Sequence, residues 1–367
     1  MANWMSKLTK DVGKIALEMP SPTEKIVKLP SPSMNWVVGN GGITRGKSLI
    51  FFGPESGGKS LLMQLTLKQL LTDEPDGICI LFDAEYSFNK DWWLKLCEGN
   101  ESIASRLIVR QSNNPVEIFD YIAGDMNEAL QDGAPIIGIA IDSVKSILYP
   151  KDQKKKTTDQ TMGGGGASYL GPALKLILPV IRENCITTIL VQQVYEEMDE
   201  YKKMSNPYKI PDGRALKHFA DYMLEVTRID TKAGRIEEGK NIYGGAMQVG
   251  HIVRVRGKKN RVGAPFRAAQ FSLSYTGGII NIHDEIFDLA KSLGVIEKPS
   301  PVMYQIDGYD PIRGESAMRE WLKNNSSEWN RIMDLCYAVT DPQVLAKRNQ
   351  DLVPEYEADI DKLMDGE

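Results

Sequence analysis

The sequence predicts an α/β protein with a mostly parallel central sheet. Between about Trp36 and His283, short runs rich in Ile, Val, Leu and Phe alternate with longer amphipathic stretches. The short runs are apolar at successive positions, which is typical of strands buried on both faces. Strand and helix patterns that alternate along a chain favour a parallel sheet covered by helices.

The elements follow in a regular order. The predicted parallel strands are Ser48–Phe52, Gly77–Phe82, Arg106–Arg110, Ile136–Ile141 and Thr187–Gln193. The predicted helices between them are Leu61–Leu71, Pro115–Leu130 and Tyr169–Glu183. After Tyr222 the pattern changes to strands alone, at Met223–Ile229, Met247–Val255 and Ala269–Tyr275. We expect these later strands to extend the sheet in antiparallel fashion.

Composition changes divide the chain into four segments. They are an N-terminal oligomerisation arm (1–36), the core (37–283), a small C-terminal α/β domain (284–340) and an acidic tail (341–367). The arm has helical spacing of apolar residues and then four prolines, which favour extended chain. It is either a flexible leader or an arm that packs on a neighbouring subunit. The last 17 residues hold seven acids and one base.

Charge and cysteine content exclude several classes of protein. The 367 residues carry 44 basic and 49 acidic side chains, a net charge of −5, which excludes a histone-like DNA coat. The four cysteines are far apart and form no CxxC pair, which argues against structural zinc. The N-terminus does not resemble a signal peptide, and no apolar run has the length of a membrane helix. We expect a soluble, cytoplasmic protein without a membrane partner.

The strongest chemical signal is an eight-residue phosphate-binding motif, G-x-x-x-x-G-K-[ST], between a predicted strand and a predicted helix. Its residues are Gly53, Pro54, Glu55, Ser56, Gly57, Gly58, Lys59 and Ser60. The backbone N–H groups of such a loop surround phosphate oxygens at the positive end of the following helix. Lys59 is expected to reach the β- and γ-phosphates, and the Ser60 hydroxyl is expected to ligate Mg²⁺. The motif therefore predicts ATP and Mg²⁺ as cofactors.

Polar residues end three other predicted strands. Asp142 ends IIGIAID and is expected to be a second Mg²⁺ anchor beside the phosphate loop. Glu85, two residues beyond Asp83, is the better candidate for activating the attacking water, while Asp83 either stabilises its turn or is one of two exposed loop carboxylates. Gln192 and Gln193 lie where ligands bind in open sheets. Either one of them senses the γ-phosphate or both are structural.

Two long polar loops and one basic strand complete the pattern. Lys151–Gly166 and Glu196–Arg214 are long enough to be functional or disordered. The basic residues of the strand region are Arg254, Arg256, Lys258, Lys259, Arg261 and Arg267. They form either a solvated sheet edge or a surface that meets a neighbour's nucleotide or DNA phosphates.

Taken together, these motifs resemble the RecA family of DNA strand-exchange recombinases. The resemblance rests on GPESGGKS, LFDAEYS, DGRALKHFAD, KKNRVGAPFRAAQF and EWLKNN, which occur in the family's order from about Pro30 to Asn325. It implies a P-loop, RecA-like core and a DNA-dependent ATPase that forms a helical filament on single-stranded DNA. The implied partners are single-stranded and double-stranded DNA, further copies of the chain, a single-strand-binding protein and a mediator.

The resemblance also assigns roles residue by residue. It implies that Glu85 is the catalytic carboxylate and Gln193 the γ-phosphate sensor. Lys259 and Arg261 match two lysines that reach across the subunit interface to a neighbour's ATP. The other matches are nucleotide contacts at Trp92 and Tyr275 and DNA contacts at Lys175, Gly213 and Arg214.

Departures from the family pattern concern mainly the DNA loops. The second loop is acidic, Arg214 stands in place of an asparagine, and Gln192 replaces an asparagine before Gln193. The chain is in this respect more similar to a phage recombinase of the UvsX type than to a bacterial one. Two alternatives remain open: a ring-forming ATPase with the same core, such as a DnaB-like helicase, and a regulatory scaffold that binds nucleotide without hydrolysing it.

Overall fold

The structure of the chain is a computed structural model that describes residues 25–39, 41–149, 165–198, 208–211, 213–240 and 244–340. The first 24 residues of the predicted arm and the acidic tail (341–367) lie outside the described residues. So do most of the first predicted loop (151–164) and the middle of the second (199–207).

The described residues contain both strands and helices in the alternating order that the sequence predicts. The strands are β1 (Ile26–Val27), β2 (Ile43–Thr44), β3 (Ser48–Gly53), β4 (Ile78–Asp83), β5 (Leu107–Arg110), β6 (Ile136–Asp142), β7 (Thr187–Gln193), β8 (Tyr195–Glu196), β9 (Tyr208–Lys209), β10 (Tyr222–Arg228), β11 (Arg235–Lys240), β12 (Ala246–Asn260), β13 (Ala268–Ser274), β14 (Gly278–Ile280), β15 (Ile296–Ser300), β16 (Met303–Ile306) and β17 (Ile312–Arg313).

The α-helices are α1 (Pro32–Val38), α2 (Lys59–Asp73), α3 (Lys90–Leu96), α4 (Glu101–Ala104), α5 (Tyr121–Ala123), α6 (Asp125–Gln131), α7 (Gly165–Glu183), α8 (Gly213–Phe219), α9 (Ile282–Ser292), α10 (Glu315–Asn324) and α11 (Trp329–Thr340). Short 3₁₀ turns lie at Val144–Ser146, Lys232–Gly234 and Ser326–Glu328. None of the helices in the described part of the chain is both long and apolar enough to cross a membrane.

One large sheet organises the molecule, and it confirms the predicted α/β class. Within the described residues its strand order is β14-β13-β12-β10-β3-β7-β6-β4-β5, with β11 paired to β12. The strands from β10 to β5 are parallel to their neighbours. Strands β11 to β14 extend the sheet in antiparallel pairs, as expected.

The alternation of side chains along β3 shows how the two layers of the core form. Leu49 and Phe51 pack into the cluster on one face of the sheet, which includes α2. Ile50 and Phe52 pack into the cluster on the other face, which includes α7. Because both faces are covered by helices, this strand is apolar at every position rather than at every second one.

A third cluster of buried residues lies in the C-terminal part of the described chain. Helices α9, α10 and α11 contribute to it together with strands β15 and β16. Trp36 of α1 packs against both this cluster and the first one. Arg267 donates a hydrogen bond to the Trp36 carbonyl over 3.0 Å. Helix α1 therefore joins the core to the C-terminal unit.

Two local predictions are wrong. The segment Arg106–Arg110 was expected to be buried on both faces, but β5 is the last strand of the sheet and Ile108 is 43% exposed. The segment Pro115–Leu130 was expected to be one helix. It consists of a π-helical turn (Val116–Asp120) followed by α5 and α6, which are separated at Gly124 where φ and ψ are −102° and −96°.

The proline-rich segment before the core is also not wholly extended. Pro32 begins α1, and the side chain of Ser31 accepts a hydrogen bond from the Met34 N–H over 3.1 Å. Proline at the first helical position loses no hydrogen bond, because that N–H has no partner within a helix. Proline here begins a helix instead of extending the chain.

Candidate functional site

Four strands bring the phosphate loop, Glu85, Asp142 and Gln193 to one edge of the sheet. The register pairs Gly53 of β3 with Gln193 of β7, and Asp83 of β4 with Asp142 of β6. Because the strands are parallel, their carboxyl ends meet at the same edge, where open α/β sheets bind ligands. A cavity of about 380 Å³ opens there. Its lining residues are Glu55, Ser56, Gly58, Lys59, Ser60, Leu61, Glu85, Asp142, Val191 and Gln193.

The phosphate loop requires glycine for steric reasons. Gly53 has φ of +154°, and a Cβ added there would lie 2.0 Å from the Val226 carbonyl oxygen of the neighbouring strand. Gly58 is left-handed, with φ of +90°, and it precedes the first residue of α2. The loop therefore lies tightly against the sheet, and the N-terminus of a 15-residue helix faces the cavity.

Lys59 is held inside this loop. Its side chain is buried, and its ammonium donates a hydrogen bond to the Pro54 carbonyl of the same loop. Burial lowers the pKa of Lys59, and the nearby Lys145 lowers it further, whereas Asp142, Glu85 and Glu55 raise it. The ammonium thus lies in the cavity with an acceptor that an anionic ligand is able to replace.

Ser60 and Asp142 form the acidic side of the cavity. Asp142 is 4% exposed, and burial raises its pKa to about 6, although a hydrogen bond from Ser60 acts in the opposite direction. The Oδ1 atom of Asp142 is buried without a hydrogen-bond partner in the described structure. A buried oxygen without a partner is costly unless a cation or donor satisfies it. A serine hydroxyl and a carboxylate in contact are suitable oxygen ligands for Mg²⁺.

Glu85 lies exposed at the rim of the cavity and accepts three hydrogen bonds on one oxygen. Its Oε1 accepts from the Ser143 hydroxyl over 2.5 Å, from the Gln193 amide over 3.0 Å and from the Ser146 hydroxyl over 3.2 Å. These donors orient the carboxylate. The group is therefore placed to accept a proton from, or to orient, a water molecule in the cavity.

Asp83 and Gln192 have structural surroundings instead. Asp83 is 1% exposed and accepts hydrogen bonds from the backbone N–H groups of Ser87 and Phe88 and from the Gln111 amide. The Gln192 amide is also buried and donates to the Gln193 carbonyl over 3.0 Å. The sequence offered two polar residues at each of these strand ends. Glu85 and Gln193 face the cavity, whereas Asp83 and Gln192 do not.

Trp92 and Tyr275, the two predicted nucleotide contacts, are not among the residues that line this cavity. Trp92 is half-buried on α3, with the Lys95 ammonium 5.9 Å from the centre of its ring. Tyr275 follows β13, is 46% exposed and accepts a hydrogen bond from the Gln248 amide over 2.8 Å. Both rings have exposed surface against which a base could stack.

Lys259 and Arg261 also lie away from the cavity, against α8 of their own chain. The Lys259 ammonium donates to the Lys217 carbonyl, and the Arg261 guanidinium donates to the His218 carbonyl over 2.8 Å. Burial lowers the pKa of Lys259, and the neighbouring Arg261 lowers it further, while Asp221 raises it. Within one chain, therefore, these two cations do not reach the phosphate loop.

The predicted DNA contacts lie on two helices that pack against each other. Lys175 is exposed on α7, one turn after Gly171, and an added Cβ at Gly171 would lie 3.9 Å from that of Ala215 on α8. Arg214 is exposed and lines a larger cavity of about 900 Å³. Its basic lining residues are Lys209, Arg214, Lys217, His218, Lys258 and Lys259, and Glu197 is the one acidic residue among the described residues that line it. Gly213 is the first residue of α8.

The short turn that follows β6 was not predicted from the sequence. Ser143 and Ser146 donate to Glu85, and between them Lys145 donates to the Gln193 side-chain oxygen over 3.0 Å. One signal was available, because polar residues directly after a strand that ends in a predicted Mg²⁺ ligand lie at the same sheet edge. Their partners were not predictable, since Ser143 is 58 residues from Glu85 along the chain.

Comparison with known proteins agrees with this geometry. A family model described as the RecA N-terminal domain matches residues 1–280. Protein RecA of Bordetella avium is 28% identical over 363 residues, covering 97% of this chain and 94% of that protein. Protein RecA of Chloroflexus aurantiacus is 28% identical over 354 residues, covering 94% and 93%. Protein RecA of Aquifex pyrophilus is 30% identical over 301 residues, covering 80% and 78%.

Proposed function

Because this chain belongs to the RecA family of DNA recombinases, we propose that it is a DNA-dependent ATPase that forms a helical filament on single-stranded DNA and promotes homologous pairing and strand exchange. The observation that carries the proposal is the convergence of Lys59, Ser60, Asp142, Glu85 and Gln193 around one cavity. These five residues come from four separate segments, and each side chain has the chemistry that one part of ATP hydrolysis needs.

The first step is binding of the triphosphate. The loop from Gly53 to Ser60 surrounds its β- and γ-phosphates with backbone N–H groups, and Lys59 exchanges the Pro54 carbonyl for a phosphate oxygen. Ser60 and Asp142 would hold Mg²⁺, and the unpartnered Oδ1 of Asp142 supports that assignment. Bound Mg²⁺ supplies neutralising charge for the phosphate oxygens.

Hydrolysis depends on Glu85 and Gln193. Glu85 orients the attacking water and takes its proton, and Gln193, whose amide lies 3.0 Å from Glu85, contacts the γ-phosphate. Loss of the γ-phosphate removes that contact from Gln193, which lies two residues before the start of β8. ATP binding and hydrolysis therefore favour two different states of the segment that follows Gln193.

We assign Lys259 and Arg261 to the nucleotide of a neighbouring subunit. This is supported by their position against α8, away from their own phosphate loop. A site made from different surfaces of two copies joins them head to tail, and repetition of such a contact gives an open helix. Trp92 and Tyr275 are assigned to the base of the nucleotide.

Single-stranded DNA is assigned to the side of the filament on which Lys175, Gly213 and Arg214 lie. Contacts to the DNA backbone make binding largely independent of sequence, and they weaken with salt by about 0.7 powers of concentration for each phosphate neutralised. Pairing between the bound strand and double-stranded DNA then supplies the sequence recognition. A single-strand-binding protein and a mediator are proposed as further partners on the basis of the family alone.

The test is ATP hydrolysis measured with and without single-stranded DNA, followed by a strand-exchange assay on the same preparation. Lys59→Ala should lower the DNA-stimulated rate by about 100-fold or more, because it removes a cation from the developing phosphate charge. Lys68→Ala is the control, since Lys68 lies on the same helix but pairs with Glu98 over 2.6 Å. Hydrolysis that survives the loss of Lys59 would refute the site.

Strand exchange distinguishes the proposed recombinase from other ATPases that have this core. We expect joint molecules to form only with ATP and homologous DNA. Electron microscopy with a slowly hydrolysed ATP analogue should show open helical filaments. Closed hexameric rings, or DNA-stimulated hydrolysis without any joint molecules, would favour the ring-forming helicase instead.

A further inference from the structure

Lys145 lies between the candidate ATP site and the second predicted DNA loop. It belongs to the 3₁₀ turn Val144–Ser146, three residues after Asp142. The described ends of the predicted loop form a small hairpin base, in which Tyr195 of β8 pairs with Lys209 of β9. Strand β8 begins two residues after Gln193. One side chain is therefore within reach of both the cavity and the loop.

The ammonium of Lys145 contacts one residue of the cavity, Gln193, and one residue of the hairpin base, Tyr195. It donates to the Gln193 Oε1 atom over 3.0 Å, and it lies 4.7 Å from the centre of the Tyr195 ring. Tyr195 is 53% exposed, and the Lys145 ammonium makes a cation–π contact with its ring in the described structure. Movement of the ammonium changes the surroundings of the hairpin base directly.

Lys145 also determines which way the Gln193 amide faces. With Oε1 on the ammonium, the amide nitrogen Nε2 faces Glu85 and donates to it over 3.0 Å. The opposite orientation would place the amide N–H groups against a cation and the amide oxygen against a carboxylate, and both contacts are repulsive. The cation and the carboxylate together permit one orientation of the amide.

The positive charge of Lys145 acts electrostatically on the phosphate loop. It is among the charges that act on Lys59, the central cation of the cavity. A triphosphate bound there carries several negative charges, and it would attract the Lys145 ammonium as it attracts that of Lys59. The ammonium then has two competing sets of partners, one on the nucleotide and one formed by Gln193 and Tyr195.

We propose that Lys145 is a positioning residue that couples nucleotide occupancy to the second DNA loop, by holding the Gln193 amide and the Tyr195 ring with one ammonium and releasing them when a triphosphate binds. The inference rests on the proposed function, because it assumes that the cavity binds ATP and that the loop binds DNA. It adds a regulatory contact made by a residue that, in the described structure, contacts Gln193 and Tyr195 and not the phosphate loop.

The experiment measures how strongly the two ligands affect each other. The dissociation constant for a fluorescent single-stranded oligonucleotide is measured with and without a saturating, slowly hydrolysed ATP analogue. We expect the analogue to change the affinity of the wild-type protein by about 5- to 150-fold, the usual range for coupled sites. In Lys145→Met this ratio should fall at least 5-fold. Lys145→Arg should restore most of it, because a guanidinium also bonds an amide oxygen and stacks on a ring.

Lys298→Met is the matched control. The Lys298 ammonium lies 5.6 Å from the centre of the Tyr304 ring, so the same charge and the same kind of contact are removed from β15 in the C-terminal unit. Its coupling ratio should equal that of the wild type. Tyr195→Leu, which leaves the Lys145–Gln193 hydrogen bond in place, should lower the ratio by itself. In the double variant the coupling ratio should fall by less than the two single losses combined, because both substitutions remove the same contact between Lys145 and Tyr195.

Hydrogen–deuterium exchange over residues 193–211 gives a readout that does not depend on DNA. The analogue should change exchange in the wild type and in Lys145→Arg, and it should have little effect in Lys145→Met at a concentration shown to saturate that variant. If the wild type shows no coupling between analogue and DNA, the proposed function fails. If the wild type shows coupling and Lys145→Met keeps it within twofold, the proposed function stands and the role of Lys145 is refuted.

Discussion

At the scale of single residues, Asp83 and Glu85 show how environment divides two carboxylates between structure and chemistry. Asp83 ends β4, where burial and two backbone N–H donors commit it to the turn that follows. Glu85 lies beyond that turn, where Ser143 and Gln193 orient it at the rim of the cavity. Substitution of Asp83 should therefore affect folding first, and substitution of Glu85 should affect hydrolysis first.

Glu285 is a second instructive residue, far from the candidate site. It lies on α9 and is 5% exposed, and its Oε1 accepts hydrogen bonds from the hydroxyls of Ser31 and Ser33 and from the Ser33 N–H. Its Oε2 has no partner in the described part of the chain. Burial raises its pKa to about 7, and the three hydrogen bonds only partly oppose this.

This pKa predicts how stability changes with pH. Between the ordinary value of 4.5 and the folded value of about 7, the folded chain keeps a proton that the unfolded chain has lost. The free energy of unfolding should therefore fall as pH rises through this window, by on the order of 2–3 kcal/mol from this residue. Glu285→Gln cannot ionise, so urea unfolding at pH 5 and pH 7.5 should show a smaller difference than in the wild type. Equal differences would contradict the prediction.

At the scale of elements, the phosphate loop owes its shape to contact with the sheet. The Val226 carbonyl of β10 occupies the space that a side chain at Gly53 would need, and Leu273 of β13 lies 2.6 Å from where a Cβ at Gly58 would be. Contact with two strands thus holds the loop and the start of α2 on the sheet as one rigid unit. Rigidity of this kind places the backbone donors before the ligand arrives.

Gly53→Ala should disrupt that unit. The added methyl group would meet a backbone oxygen that cannot move aside, so we expect a loss of about 3 kcal/mol in the free energy of unfolding. Nucleotide binding should be lost as well, as measured by titration with a fluorescent ATP analogue. Gly133→Ala is the control, because Gly133 also has positive φ, at +91°, but open space around it. It should cost about 1 kcal/mol and leave binding intact. Similar losses of stability and binding in both variants would show that the cost comes from the positive φ and not from contact with the Val226 carbonyl.

At the scale of the whole molecule, two sets of predicted site residues lie apart from each other in one chain. The phosphate loop, Glu85 and Gln193 lie at one sheet edge, whereas Lys259 and Arg261 rest against α8. Under the proposed function, each active site takes its carboxylate from one copy and its additional cations from the next. Activity should then belong to the assembly and not to the single chain.

Mixing inactive variants tests this arrangement. Lys259→Ala and Glu85→Gln should each be nearly inactive alone, but an equal mixture places an intact Glu85 opposite an intact Lys259 at about a quarter of the junctions. The mixture should regain hydrolysis in that proportion, measured with single-stranded DNA.

A mixture of Lys59→Ala and Glu85→Gln supplies the control. Both residues belong to the same copy's half of the site, so no junction in that mixture is complete and it should stay inactive. Recovery in both mixtures, or in neither, would contradict a site shared between neighbours.

The sequence by itself determined the α/β class, the phosphate loop and the sheet edge at which the polar strand ends meet. It did so because these features depend on short-range patterns: eight consecutive residues form the motif, and buried parallel strands are apolar at nearly every position. The edge strand β5 and the break at Gly124 escaped prediction, since strand order and packing at a single glycine are not local properties.

Only the tertiary structure decided which polar residues work together. Gln193 reaches Glu85 across 108 residues of chain, and Lys145 reaches Gln193 across 48. Such hydrogen bonds exist because β4, β6 and β7 are adjacent in the sheet, and strand order is set by burial of the whole core. A local pattern identifies the residues that can carry the chemistry, whereas long-range packing determines the partners that orient them.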